Sequence, residues 1–210
     1  TEANSSVPLA VARRAFLYSL AAIEHGAPEE ERVLALAEQA PGNTSLEAVA
    51  RAYIALEQGD VARAETLLEP FDENEVWGEV AFARAMVAYR VGDSEGAVTR
   101  SRAAQALQPS ATRYTAFMVR ALLAAGDMQD ARQLAAGLEG ADGPLVDLAR
   151  AEVKIATRDF DEGDALATSV LDAPDASERQ RALAHLFLAE SAAAQNQAAE
   201  ATAHIESAFE

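Results

Sequence analysis

The side chains in this sequence best suited to chemistry are His25, His185 and His204, the serines Ser101, Ser169 and Ser191, the acidic run Asp72-Glu73-Asn74-Glu75, and the glycines Gly137, Gly140 and Gly143. A zinc hydrolase needs two histidines four residues apart around a glutamate on one helix face. The three histidines here fall in separate segments, so they read as helix-surface or core residues rather than as metal ligands. The acidic run opens like a calcium loop, but its fifth position is Val76 and the closing glutamate is out of register, which leaves a solvated acidic turn. The three glycines lack the following Lys-Ser/Thr and the preceding strand of a phosphate cradle. None of the serines sits in an elbow motif. Carboxylate pairs are so common among 34 acidic residues that they say little about acid–base work. No catalytic residue, metal or cofactor is therefore expected, and the chain reads as a binding protein rather than an enzyme.

The elements that carry these residues are set by a recurring stretch, first seen at Ala50–Leu68 as ARAYIALEQGDVARAETLL. Ala52, Ala55 and Leu56 lay one apolar stripe along a helix, and Ala64, Leu67 and Leu68 lay a second along the next. Between them Gly59 suits the left-handed residue that ends a helix, and Asp60 suits the N-cap that starts another. The same punctuation returns at Gly92-Asp93, Gly126-Asp127, Arg158-Asp159 and Asn196-Gln197, spaced by 33, 34, 32 and 38 residues. Seven residues before each mark stand Ala52, Ala85, Val119, Ala151 and Ala189; five after stand Ala64, Ala97, Ala131, Gly163 and Ala201. Small side chains at both points let paired helices approach closely. Asn196 tolerates the left-handed conformation, whereas Arg158 does not suit it, so the fourth hairpin is expected to turn differently. Pro109 and Pro174 mark unit ends.

A period near 34 with these small pairs, Gly-Asp turns and Pro109 resembles the tetratricopeptide repeat, a family of helix-turn-helix solenoids. The resemblance covers five units, about 45–77, 78–111, 112–143, 144–175 and 176–210, with a degenerate hairpin at 8–40 behind a disordered tail at 1–6. It implies an all-α fold: a right-handed α-solenoid of about six antiparallel helix hairpins forming a single domain over 7–210, some twelve helices without a strand. Two departures stand out. The aromatic usual in the first helix is mostly missing, and Arg51, Arg84 and Arg150 replace the usual leucine before the small position. These three are expected to form an intramolecular ladder, each bridging to an acidic neighbour.

Composition narrows the partners. Half of the 210 residues are apolar, enough for a continuous core. A net charge of −17 opposes phosphate binding, which argues against nucleic acid and anionic membrane. No apolar run approaches the ~20 residues needed to cross a bilayer. The absence of cysteine excludes disulfides and thiolate sites and fits any compartment, cytoplasmic or periplasmic. The polar start, TEANSSV without an initiator methionine, reads as a processed end or as a cut through a longer chain.

The family's inward-facing register falls on Val49, Tyr53 and Leu56, then Phe82, Met86, Tyr89 and Arg90, then Arg113 and Arg120, then Leu148 and Glu152. The resemblance thus implies a concave groove for a protein or peptide partner, with Tyr53, Phe82 and Tyr89 as apolar anchors, Met86 as an adaptable contact, and Arg90, Arg113 and Arg120 engaging a carboxylate. A shift of one residue would turn some of these aromatics into core and the arginines into partners for nearby glutamates. No Asn stands among the matched inward positions, which departs from the carboxylate clamp of some family members. At the chain's end Ile205, Ala208 and Phe209 are expected to be partly uncovered, either continuing into further chain or meeting another subunit as a homodimer through this face. Three functional classes follow: an interaction scaffold, a regulatory or targeting segment of a larger enzyme or sensor, and a small-ligand sensor with a closed pocket.

Overall fold

The computed structural model describes residues 44–71 and 78–209. The expected tail, the degenerate hairpin at 8–40, His25, the acidic run from Asp72 to Glu75 and Trp77 lie outside the described residues. Within them are ten α-helices and no strand: α1 (Ser45–Glu57), α2 (Val61–Leu68), α3 (Glu79–Arg90), α4 (Ser94–Leu107), α5 (Thr112–Ala124), α6 (Met128–Ala136), α7 (Pro144–Ala156), α8 (Phe160–Asp172), α9 (Glu178–Ala194) and α10 (Ala198–Ala208). They pair in sequence as five antiparallel hairpins. The chain divides into two compact units, the first ending at Ser110 and the second spanning Ala111–Glu210.

Each hairpin turns in the same way. The residue at the mark takes a left-handed conformation, with φ of 78° at Gly59, 84° at Gly92, 81° at Gly126, 65° at Arg158 and 63° at Asn196. Its amide donates to the carbonyl three residues back, and the next amide donates to the carbonyl five back. Gly59 N and Asp60 N thus reach Leu56 O at 3.2 Å and Ala55 O at 2.8 Å. Arg158 N and Asp159 N reach Ile155 O at 2.9 Å and Lys154 O at 2.8 Å in the same pattern. This is the paired bond of a Schellman motif, which closes the last carbonyls of a helix. The expectation of a different fourth turn is therefore overturned. Arg158 is forced into a conformation that costs a non-glycine residue about 1–2 kcal/mol, because the two backbone bonds and the hairpin packing on either side fix the path of the chain.

Aspartate after the mark then starts the second helix. Oδ1 of Asp60 accepts from Arg63 N at 3.1 Å, that of Asp93 from Gly96 N at 2.9 Å, and that of Asp127 from Asp130 N at 3.2 Å. Asp159 makes no such cap bond and instead accepts from Lys154 Nζ at 3.0 Å. In α9 Ser177 and Gln180 form a reciprocal capping box, with bonds of 3.1 and 2.8 Å.

The small positions hold the helices of each pair together. Ala52, Ala85, Val119 and Ala151 are fully buried, as are Ala64, Ala97 and Ala131, with Ala189 and Ala201 nearly so. At the fourth hairpin the helices approach so closely that a Cβ on Gly163 would stand 2.6 Å from Cγ1 of Ile155. Within the first unit α3 packs on both α1 and α2; within the second α7 packs on α5 and α6, and α9 on α7 and α8. The first helix of one hairpin lying against both helices of the hairpin before it is the stacking plan of an α-solenoid. The core of the α7–α9 stack shows what results: Leu148, Ala151 and Ile155 meet Ala167 and Val170 of α8 and Ala184, Phe187 and Leu188 of α9.

Candidate functional site

Stacking puts the first helices of successive hairpins side by side: α1 with α3 in the first unit, α5, α7 and α9 in the second. The residue six before each mark then recurs along such a row: Tyr53 and Met86 in one unit, Arg120, Glu152 and Glu190 in the other.

In the first unit this row turns inward at its start. Tyr53 is buried, and its hydroxyl donates to Glu79 Oε2 at 2.9 Å, which gives a buried carboxylate a donor. Phe82 is buried as well. Met86 and Tyr89 are half-buried and Arg90 is exposed. The aromatics named for the groove thus divide: Tyr53 and Phe82 lie within the packed interior, and Tyr89 at its surface.

In the second unit charged groups take the row. Nε of Arg120 lies 3.2 Å from Oε2 of Glu152, both half-buried. Burial holds the Glu152 carboxyl above its ordinary range; Arg120 opposes that shift, and the nearby Glu190 carboxylate adds to it. The guanidinium of Arg113 lies 4.9 Å from the ring centre of the adjacent Tyr114, and Nη2 donates to the Tyr114 hydroxyl at 3.4 Å. Tyr114 is fully buried, and desolvation pushes its hydroxyl up to about 12 against the influence of Arg113, so it stays neutral. The structure therefore brings Arg120 and Glu152 into contact and turns Arg113 onto an aromatic neighbour. On α7 and α9 respectively, Leu145 and Leu186 stand 37% and 41% exposed as large apolar side chains.

The three recurring arginines divide too. Arg51 pairs with Glu47 at 2.7 Å and Arg150 with Glu162 at 3.7 Å, as a ladder requires. Arg84 instead donates through Nη2 to the carbonyls of Leu68, Glu69 and Phe71 at 3.0, 3.3 and 3.0 Å, closing the C-terminus of α2 and tying the second hairpin to the first. Arg181 does the same for α8 by donating to Ala173 O at 2.9 Å.

Five features escaped the sequence reading. Glu79 and Glu190 could have been found by extending the register to positions thirteen and six before the mark, and Leu145 and Leu186 by extending it to thirteen and ten. His185 and His204, assigned to separate segments, meet across the last hairpin with Nδ1 atoms 3.2 Å apart. One must donate and the other accept, and burial together with His204 lowers the pKa of His185. Laying the two helices antiparallel about Asn196 would have shown the pairing. At the end of the same hairpin Ile205 and Phe209 are 45% and 82% exposed. Among the described residues no group of three or more side chains could hold a metal ion, and no helix is long and apolar enough to cross a membrane.

These hairpins define an all-helical repeat protein. The family described as Tetratricopeptide repeat matches residues 48–70, from within α1 through α2, and residues 182–207, from within α9 into α10. These two matches support reading the hairpins as tetratricopeptide repeats, which generally mediate protein–protein interactions. Neither curated proteins nor solved structures give a match to this chain.

Proposed function

We propose that this protein is an interaction scaffold that holds a partner peptide or domain on the faces made by its first helices. The observation that supports this most is that each unit packs these helices side by side and leaves on them side chains that a partner can reach: half-buried Met86 and Tyr89 and exposed Arg90 in the first, half-buried Arg113, Arg120 and Glu152 in the second. Half-buried aromatics and arginines lose little side-chain entropy on binding and dominate interface energies. Tyr53 and Phe82 act from beneath, by fixing the helices that carry the surface residues. The test is affinity capture from the protein's native extract with the wild type and with Tyr89→Ala plus Arg120→Glu. Loss of a specific partner from the double variant is the expected result; equal recovery would sink the reading.

A second reading, a homodimer through the last hairpin, is favoured by the exposure of Ile205 and Phe209. Light scattering across a concentration series should then show a dimer that Phe209→Ser returns to monomer.

A further inference from the structure

The charge of the second unit's face, which the proposed scaffold would use, is not the one its arginines suggest. Three register rows run across α5, α7 and α9: Arg113, Leu145 and Leu183; Ala116, Leu148 and Leu186; Arg120, Glu152 and Glu190. Arg113 lies against its neighbouring tyrosine, and Arg120 is engaged by Glu152. The last row then holds two carboxylates against one guanidinium, and Glu190 is exposed. A partner carboxylate arriving here would have to compete with Glu152 for Arg120 while facing Glu190. A partner cation meets the reverse situation. It also approaches the C-terminal ends of α7 and α9, where the helix dipoles are negative, because Glu152 and Glu190 each lie one turn before their helix ends at Ala156 and Ala194. One to two turns toward the helix starts, the exposed Leu145 and Leu186 supply the apolar part of the surface.

Resting on the scaffold reading, we propose that the face of α7 and α9 takes a basic amphipathic segment, with its apolar side chains on Leu145 and Leu186 and a lysine or arginine beside Glu152 and Glu190. The leucines precede the carboxylates by about two turns on α7 and one on α9, so the carboxylates fix which end of the segment carries the charge. The net charge of −17 steers such a partner toward the molecule, while the local pair selects where it lands.

The test uses two synthetic amphipathic peptides with one leucine pattern, one bearing lysines on its polar face and the other glutamates, titrated into the full chain at physiological ionic strength and followed by fluorescence anisotropy. The lysine peptide is expected to bind at least about tenfold more tightly than the glutamate peptide. Glu190→Lys should weaken it about tenfold and Leu186→Ala several-fold, whereas Glu206→Lys, the same charge change on the exposed side of α10, should leave it within about twofold. Circular dichroism checks that each variant is folded. Equal losses from Glu190→Lys and Glu206→Lys would mean attraction by bulk charge alone and would overturn the proposal, as would tighter binding of the glutamate peptide or no binding of either. If neither peptide binds while Tyr89→Ala plus Arg120→Glu still loses a native partner, the scaffold stands without this specificity. If that double variant also loses nothing, both readings fall.

Discussion

The first unit and the second place different chemistry at one register position. Six residues before the first turn stands Tyr53, sealed in the core and bonded to Glu79; six before the third and fourth turns stand Arg120 and Glu152, half-buried and paired with each other. The turns differ likewise: the first unit uses glycine at both, the second uses Gly126, then Arg158, then Asn196 in the same left-handed conformation. A repeat constrains backbone geometry far more tightly than it constrains side chains. The first unit uses a shared position to tie hairpins together, and the second leaves it on a surface.

That contrast can be broken by substitution, and the largest effect belongs to the buried member. Tyr53→Ala should destabilise the first unit by about 3–5 kcal/mol, read by denaturant unfolding, because it opens a cavity among residues that cannot close around it. Glu152→Ala at the matching position should change stability by no more than about 1 kcal/mol, since it removes a partly solvated ion pair. Equal costs would mean that the two positions are not used differently. Tyr53→Phe isolates the hydrogen bond and should cost about 1–2 kcal/mol by taking a donor from a buried carboxylate.

The turns supply a smaller effect of opposite sign. Arg158→Gly should raise the thermal midpoint, with a gain of about 0.5–1 kcal/mol after the added freedom of glycine in the unfolded chain is set against the relieved strain. Gly126→Arg should lower it; if both substitutions were neutral, the strain inferred at Arg158 would be absent.

The smallest effect appears as a slope against pH. The native state holds the Glu152 proton more tightly than the unfolded chain does, so native binds more protons in that window and stability falls as pH rises from the ordinary carboxylate value of 4.5 through the raised native one. Glu152→Gln should flatten this decline. An unchanged slope would place its origin elsewhere.

The hairpins were legible because their signals are local. A small residue, a left-handed residue and a capping aspartate lie within thirteen positions of one another, and each acts through its own backbone. The surface was less legible. Tyr53 carries the side chain of a binding anchor, and its burial depends on α3, whose first residue lies 26 positions away. Arg84 looks like Arg51 in the sequence, but the α2 carbonyls within its reach give it a different role. The histidine pair needed two helices laid against each other before it existed at all.

The sequence by itself determined the repeat length, the helical hairpins, the close-packed alanines and the acidic balance, because these follow from residue type and spacing along the chain. Only the tertiary structure decided that Arg158 turns as glycine does, that Tyr53 faces inward, and that Arg120 is held by Glu152. Each of those outcomes is set by which side chain a neighbouring hairpin brings within a few ångströms, and spacing along one chain does not encode that distance.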